Sequence, residues 1–386
     1  MKIDAPWLYT PSTRAVCAAL TAAGAEIYFV GGCVRNALLR EPSSDLDLST
    51  NVAPSRVMQI AADASLKAIP TGIDHGTVTI VAEGVPHEVT TFRKDVATDG
   101  RRAVVAFATD IAEDARRRDF TMNALYARPD GEVVDPLGGL DDLYARRVRF
   151  IGEARQRIRE DYLRILRYFR FHSWYGDADE GFDPEALGAI AETQDGLAEL
   201  SRERVGAEMM KLLAAANPAP SVATMRQIGV LAQILPGADD RALAPLIHLE
   251  AGLSVEAELR LAALGGDQPR DALRLSKASA TRVALLRELA TDGSSAAELA
   301  YRHDAQIAKR AMLLRSALLE TPVSPTLDTD IDRGATASFP ICAQDLMPVV
   351  QGAALGRALR TLEAEWIASG FEADKEALLQ RLPDLS

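Results

Sequence analysis

Asp45 and Asp47 stand just downstream of the run Phe29-Val30-Gly31-Gly32-Cys33-Val34-Arg35. Carboxylates are hard ligands suited to Mg²⁺, and paired glycines leave backbone N–H groups open to an anion. Arg35 adds a fixed charge whose forked donors match phosphate oxygens. Such groups together call for Mg²⁺ and a nucleoside triphosphate. Each piece alone has an ordinary reading: Gly-Gly is a turn, and Asp-x-Asp is a solvated loop or a helix cap. Their order along the chain is the rarer feature.

That order needs particular elements. Ala25–Val30 reads as a buried strand and Cys33–Arg40 as the start of a helix. Asp45–Ser49 reads as the next strand, which puts Asp45 and Asp47 on one face. Residues 15–23 form a leading helix, and Pro54 opens another that runs to about Ala64. The β-branched runs Gly76–Val81 and His87–Phe92 flank Glu83-Gly84, a hairpin signal. On the second strand Glu88 is a candidate third catalytic acid, against the plain alternative of an exposed strand glutamate. Arg93–Ala103 is charged, lacks apolar periodicity and reads as a mobile loop. Arg116–Leu125 has a basic front and an apolar rear at helical spacing, so its end can sit near a triphosphate. Asp135–Asp142 is a second glycine-bearing loop. After Arg149 the strand signal fades into amphipathic helices, broken at Asn217–Pro220, Leu235–Asp239 and Thr321–Pro340. The last break is the longest loop or linker candidate.

Gln156–Phe171 reads as one helix. Tyr162, Ile165, Leu166 and Phe169 make its core stripe, and Asp161, Arg164, Arg167 and Arg170 fan across the other side. Asp161 and Arg164 are helix neighbours, and the plain reading is a surface ion pair worth under ~1 kcal/mol. The alternative is chemical. A carboxylate accepts and a guanidinium donates, which matches the amino group and ring nitrogen shared by cytosine and adenine. Uracil and guanine would turn a carbonyl oxygen toward the carboxylate, an unpaired buried contact that costs a few kcal/mol. Such a pair admits CTP and ATP without a nucleic-acid template.

The chain has 386 residues, 48% of them hydrophobic and 25% charged, which suits a globular protein of two or three domains. Its net charge of −12 argues against broad, nonspecific nucleic-acid binding. Between positions 146 and 170, however, nine arginines face three acids. Such a strip binds a polyanion at one place, or is a solvated helix face. Cys17, Cys33 and Cys342 show no metal-ligand spacing, so a reduced, cytoplasmic setting is expected. Met1–Pro11 lacks a basic stretch followed by an apolar core, so no signal peptide is expected, and no segment reads as membrane-spanning.

The segments VGGCVRNALL (30–39), SDLDLST (44–50), GTVTIV (76–81), EVTTFRKD (88–95), RRDFTMNALY (117–126), DPLGGLDDL (135–143) and EDYLRILRYFRF (160–171) resemble those of class II CCA-adding enzymes. These are tRNA nucleotidyltransferases, close to the bacterial poly(A) polymerases. SRERVGAEMMKLL (201–213) is similar to their helical body, and 344–371 to the tail of some bacterial members. The resemblance implies an α+β fold: a polymerase-β-like nucleotidyltransferase head with a mixed sheet, then an all-α C-terminal half. It implies a catalytic head at 1–149, a helical neck with the nucleotide-selecting helix at 150–235, and a helical body and tail for tRNA at 236–386. Asp45 and Asp47 would hold Mg²⁺, with Glu88 as the further catalytic acid. Gly31, Gly32, Arg35 and Arg118 would contact the incoming nucleotide. Asp161 and Arg164 would select the base, with Arg167 and Arg170 completing the pocket. Arg93–Ala103 would be the flexible element needed for adding the final A. The family usually carries Asp where this chain has Asn36.

The expected reaction is attack of the tRNA 3′-hydroxyl on the α-phosphate of CTP or ATP, with pyrophosphate leaving. The alternatives are a poly(A) polymerase and a partial CC-adding or A-adding enzyme. A sugar-nucleotide transferase would leave Arg117–Leu125 and Glu160–Phe171 unexplained. A non-catalytic tRNA-binding protein would not need the Asp45/Asp47 pair. The sequence sets no oligomeric state.

Overall fold

The computed structural model describes residues 1–42, 45–99, 102–177 and 179–381; the side chains of 95–105 fall outside the description. The chain divides into two compact units, Met1–Ile234 and Leu235–Ser386. The expected head–neck division at 149/150 falls inside the first.

The first unit is built on a mixed seven-stranded sheet. Its strands are β1 (Ile27–Val30), β2 (Asp47–Thr50), β3 (Lys67–Gly72), β4 (Thr77–Ala82), β5 (Val85–Thr91), β8 (Tyr126–Ala127) and β9 (Val133–Val134), in the order β3-β4-β5-β2-β1-β8-β9. Every residue of β1 is buried, as a strand flanked on both sides must be. β2 runs antiparallel to β1 with Leu48 opposite Phe29. The end of β1 and the start of β2 therefore lie at the same edge of the sheet. β5 runs parallel to β2 with Glu88 opposite Asp47, so these two acids share a face. Between β4 and β5, Glu83 and Gly84 both take positive φ, the two-residue turn whose twist suits a hairpin.

Helices α1 (Pro11–Ala22), α2 (Gly32–Leu39) and α3 (Pro54–Asp63) pack on this sheet; α4 (Ile111–Arg116) and α5 (Gly139–Tyr144) follow, and then α6 (Ala154–Glu160) packs on α8 (Pro184–Thr193) and α7 (Leu163–Tyr175) on α9 (Arg202–Leu213). In the glycine-bearing loop before α5, the Asp135 carboxylate accepts from the Gly139 and Leu140 N–H groups and caps that helix. Tyr28, Val30, Phe92, Ala124 and Tyr126 form one apolar cluster against the central strands.

Four expectations are corrected. Arg93–Ala103 is not an open loop but most of a hairpin, β6 (Arg93–Asp99) against β7 (Arg102–Phe107); its Gly100 and Arg101 lie outside the described residues. Cross-strand backbone pairing overrides the missing apolar period. Arg116–Leu125 is not one helix. α4 ends at Arg116, and Phe120 bridges to Phe150 before a short 3-10 turn at Thr121–Asn123. Asp45 precedes β2 rather than lying on it, so strand alternation alone does not orient it. Gln156–Phe171 is broken: Asp161 takes an extended conformation between α6 and α7, and its carboxylate accepts from the Leu163 N–H. The core stripe survives the break, with Ile165, Leu166 and Phe169 buried.

The second unit is helical apart from the short bridge Ala238–Gly265. Its long helices include Lys277–Thr291, Ala305–Leu319 and Ala353–Ala368. The supposed linker Thr321–Pro340 holds a helix, Leu327–Thr336, because Leu327, Ile331 and Gly334 fall on one face and are buried. Leu346, Leu362 and Trp366 anchor a separate core near the end of this unit. Among the described residues no helix is long and apolar enough to cross a membrane.

Candidate active site

The glycine turn comes first. Gly31 closes β1 with φ +71°, a conformation that L side chains resist, and Gly32 opens α2. A Cβ at Gly31 would stand 3.5 Å from both Arg118 Nη1 and Asn123 Oδ1. Arg118 therefore reaches the turn from the segment after α4. Its Nη2 donates to Asp114 at 3.1 Å and its Nε to the Tyr126 hydroxyl at 3.1 Å. Asp114 also accepts from Tyr126 at 2.8 Å and from Arg117 at 2.9 Å. These guanidiniums and hydrogen bonds outweigh burial and hold the Asp114 carboxyl down to about 2.

The acid corner adjoins the turn. Asp45, Asp47 and Glu88 are all exposed. Crowding by protein pushes the Asp47 pKa up, Glu88 and Asp45 push the same way, and Arg118 opposes them. The three acids and Arg118 thus share one electrostatic neighbourhood. The donor set is hard and anionic, which suits Mg²⁺. Among the described residues, no three His, Cys, Asp or Glu side chains are gathered tightly enough to hold a metal unaided. An ion here would need to complete its shell with water or phosphate, as Mg²⁺ commonly does.

Arg35 is 5% exposed and lies inside the site. Its Nη1 donates to Asn123 at 2.7 Å, its Nη2 to the Tyr175 hydroxyl at 2.8 Å, and its Nε and Nη2 to Asn36. The guanidinium sits 3.9 Å from the Tyr175 ring centre. Asn36 also donates to the Pro42 carbonyl at 2.8 Å, a bond that an aspartate in its place could not make.

Asn123 passes the network on. It donates to Asp119 at 3.1 Å, and Asp119 accepts from Arg167 Nε at 2.7 Å. Despite burial, Arg167 and these hydrogen bonds hold the Asp119 carboxyl near 2. Arg167 and Arg170 both pair with Glu208 on α9 and lie over the Phe171 ring. Asp161 is within electrostatic reach of Arg167. A path thus runs from Asp47 to Asp161: hydrogen bonds join Asn123, Asp119 and Arg167, Arg118 and Asn123 flank the glycine turn, and charge alone links Asp47 to Arg118 and Arg167 to Asp161.

Asp161 and Arg164 do not pair with each other. Asp161 accepts from Arg204 at 2.8 Å. Arg164 donates to Glu160 and to the Arg157 carbonyl, both at 2.7 Å, and more weakly to the Arg117 carbonyl at 3.3 Å. Arg157 donates to the carbonyls of Arg117 and Arg118 at 2.5 and 2.6 Å. Sequence reasoning missed Asp114, Asp119, Asn123, Tyr126, Tyr175, Arg204 and Glu208. The Asp114–Arg118 pair, four residues apart, was the one readable signal.

The arginine strip divides. Arg157, Arg164, Arg167 and Arg170 face inward. Arg149 and Arg155 turn to a different face, where they pair with Asp142 and Glu192 beside a cavity of about 750 Å³. None of the candidate site residues lines that cavity.

A family model described as the poly A polymerase head domain matches residues 27–149, and one described as a probable RNA and SrmB-binding site of polymerase A matches 181–241. The human mitochondrial CCA tRNA nucleotidyltransferase 1 is 30% identical, with 98% of this chain and 92% of that protein covered. The Limosilactobacillus reuteri CCA-adding enzyme is 38% identical over 67% of this chain and 64% of its own length. Among solved structures, the Bacillus stearothermophilus CCA-adding enzyme in complex with CTP aligns with a TM-score of 0.75 at 26% identity over 99% of both chains. That likeness holds over nearly the full length, so the chain belongs to the class II CCA-adding enzymes, the tRNA nucleotidyltransferases.

Proposed function

We propose that this protein adds C, C and A to the 3′ end of tRNA, using CTP and ATP and releasing pyrophosphate, without a nucleic-acid template. The observation that carries this reading is the path from Asp47 to Asp161. It ties an acid corner suited to a metal-bound triphosphate to a carboxylate suited to reading a base. The relatives are described as CCA tRNA nucleotidyltransferases and CCA-adding enzymes, and the head matches a polymerase head.

Asp45 and Asp47 would hold Mg²⁺, with Glu88 alongside. The bound ions would lower the pKa of the attacking hydroxyl and offset charge on the triphosphate. The protein's own share is positioning and electrostatics. The Gly31 N–H is given to the Leu125 carbonyl, so the Gly32 N–H at the opening of α2 meets phosphate, and Arg118 meets it from the other side. Arg35, held by Tyr175 and Asn36, fixes Asn123 and so the shape of the turn. Asp161 accepts the amino group of cytosine or adenine. Arg164 donates to the ring nitrogen after exchanging its Glu160 and carbonyl partners for the base. Arg167 and Arg170 keep the pocket positive and rigid. Cytoplasmic residence belongs to the same reading: Cys17, Cys33 and Cys342 are all free thiols, which suits a reducing compartment.

The test is incubation of purified protein and Mg²⁺ with tRNA lacking its last three nucleotides, supplying each nucleotide alone and in pairs. Two C additions with CTP, and a third nucleotide only when ATP is also present, are expected. Long A tails on any RNA from ATP alone would point to a poly(A) polymerase. Arrest after CC, or A addition only, would mark a partial enzyme.

A further inference from the structure

Helix α7 presents three aromatic side chains near its end, and they are used differently. Phe171 lies beneath Arg167 and Arg170, and the Tyr175 ring lies against Arg35. Trp174 has no such partner: among the described residues no guanidinium covers its ring. It is 45% exposed, whereas Trp7 and Trp366 are 7% and 3% exposed. An exposed tryptophan of this kind is ordinarily mobile, but this one is held. Its indole N–H donates to the Lys211 carbonyl on α9 at 2.8 Å.

The bond belongs to a stitched seam. Arg204, Glu208 and Lys211 are spaced on α9 so that they share one face. They meet Asp161, then Arg167 and Arg170, then Trp174 along α7 and the residues before it. The seam therefore starts at the base-selecting carboxylate and ends at a fixed, open indole bonded to the backbone of Lys211, a residue that is itself exposed. A rigid aromatic face with a neighbouring cation is what a nucleobase and its phosphate fit, and every base has a face to stack. Because the ring is already fixed, stacking costs little conformational entropy.

We propose that Trp174 is a stacking platform for a base of the RNA substrate's single-stranded 3′ end, with Lys211 offsetting the adjoining phosphate. The inference rests on the reading of this chain as an RNA-extending enzyme. The occupant is the RNA being lengthened, not the incoming nucleotide, whose place is the acid corner and Asp161.

Trp174 is also the only tryptophan open to a stacking quencher, which supplies a direct readout. A short RNA hairpin with a single-stranded CC end, added to the full chain without nucleotide, should quench tryptophan emission. Trp174→Phe should abolish that quench, and CTP alone should not reproduce it. In steady state, Trp174→Ala should raise KM for tRNA by about tenfold, leave kcat and KM for CTP within about twofold, and be largely rescued by Trp174→Phe. A thermal melt of each variant separates these effects from misfolding. Three results would overturn the proposal: an unchanged KM for tRNA in Trp174→Ala, a loss that falls on kcat or CTP instead, or equal quenching by CTP. If the unmodified protein extends no tRNA, the family-derived activity fails. If it does extend tRNA and Trp174→Ala behaves identically, only the stacking assignment fails.

Discussion

The acid corner and the arginine network lie side by side and are built on opposite electrostatic terms. Asp45, Asp47 and Glu88 are exposed by surface area, and at Asp47 crowding by protein, then the charges of Glu88 and Asp45, push the pKa up against Arg118. Asp114 and Asp119 are buried, yet guanidiniums hold both near 2. In the network each buried acid is matched by guanidiniums, whereas at Asp47 the charge of Arg118 is outweighed by crowding and the neighbouring acids. The difference fits a division between a self-paired network that keeps shape and an anionic corner suited to the ion proposed for it.

The largest effect should come from breaking the corner. Asp47→Ala or Asp45→Ala is expected to lower nucleotide incorporation by ~10³-fold or more. The melting temperature should hold or rise slightly, since one repelling charge is gone. Single-turnover incorporation and a thermal melt check both halves, and robust incorporation by either variant refutes the metal assignment. Breaking the network should do the reverse. Asp119→Ala takes the nearest carboxylate from Arg167, leaving it Glu208, and removes the acceptor of Asn123; it should cost about 3 kcal/mol in urea unfolding. A loss as small as that of a surface pair would show that Asp119 is not the anchor.

Acid sharpens the contrast. Asp114 and Asp119 titrate in the folded protein near 2, below the ~3.9 of an unfolded aspartate. Because the folded values are depressed, the stability they confer is complete above about pH 4 and lost as pH falls toward 2. The loss should be on the order of 2 kcal/mol for each group. Urea midpoints between about pH 5 and pH 3 test it, with Asp119→Asn giving a shallower decline than the unmodified protein. The smallest stability effect is expected at the far end of the path. Asp161→Ala removes a half-open pair with Arg204 and should cost under ~1 kcal/mol. It should nevertheless relax rejection of UTP and GTP by about tenfold. Unchanged discrimination, measured by competing nucleotides, would count against Asp161 as the base reader.

The short-range parts of this design were legible. The Gly31-Gly32 turn, the Glu83-Gly84 hairpin and the buried stripe of Ile165, Leu166 and Phe169 follow from local rules of turn chemistry and periodicity. The break before α7 was readable in principle, because an aspartate ahead of an apolar helical run is a natural cap. The continuous helical period across Asp161 masked it. Pairs such as Asp119 with Arg167 and Asp161 with Arg204 were out of reach. A single sequence gives each arginine many possible acids, and only the packing of α7 against the segment after α4, and against α9, chooses among them. The helix at Leu327–Thr336 was lost for a related reason: its polar majority hides the few residues that bury it.

The carbonyls of Arg117 and Arg118 are gripped by Arg157, and that of Arg117 also by Arg164. The strap bearing Arg118 is thus clamped to the segment that carries Asp161, leaving little freedom for one to hinge against the other. If the two residues meet phosphate and base as proposed, passing from one added letter to the next would call for side chains to swivel inside a stiff frame.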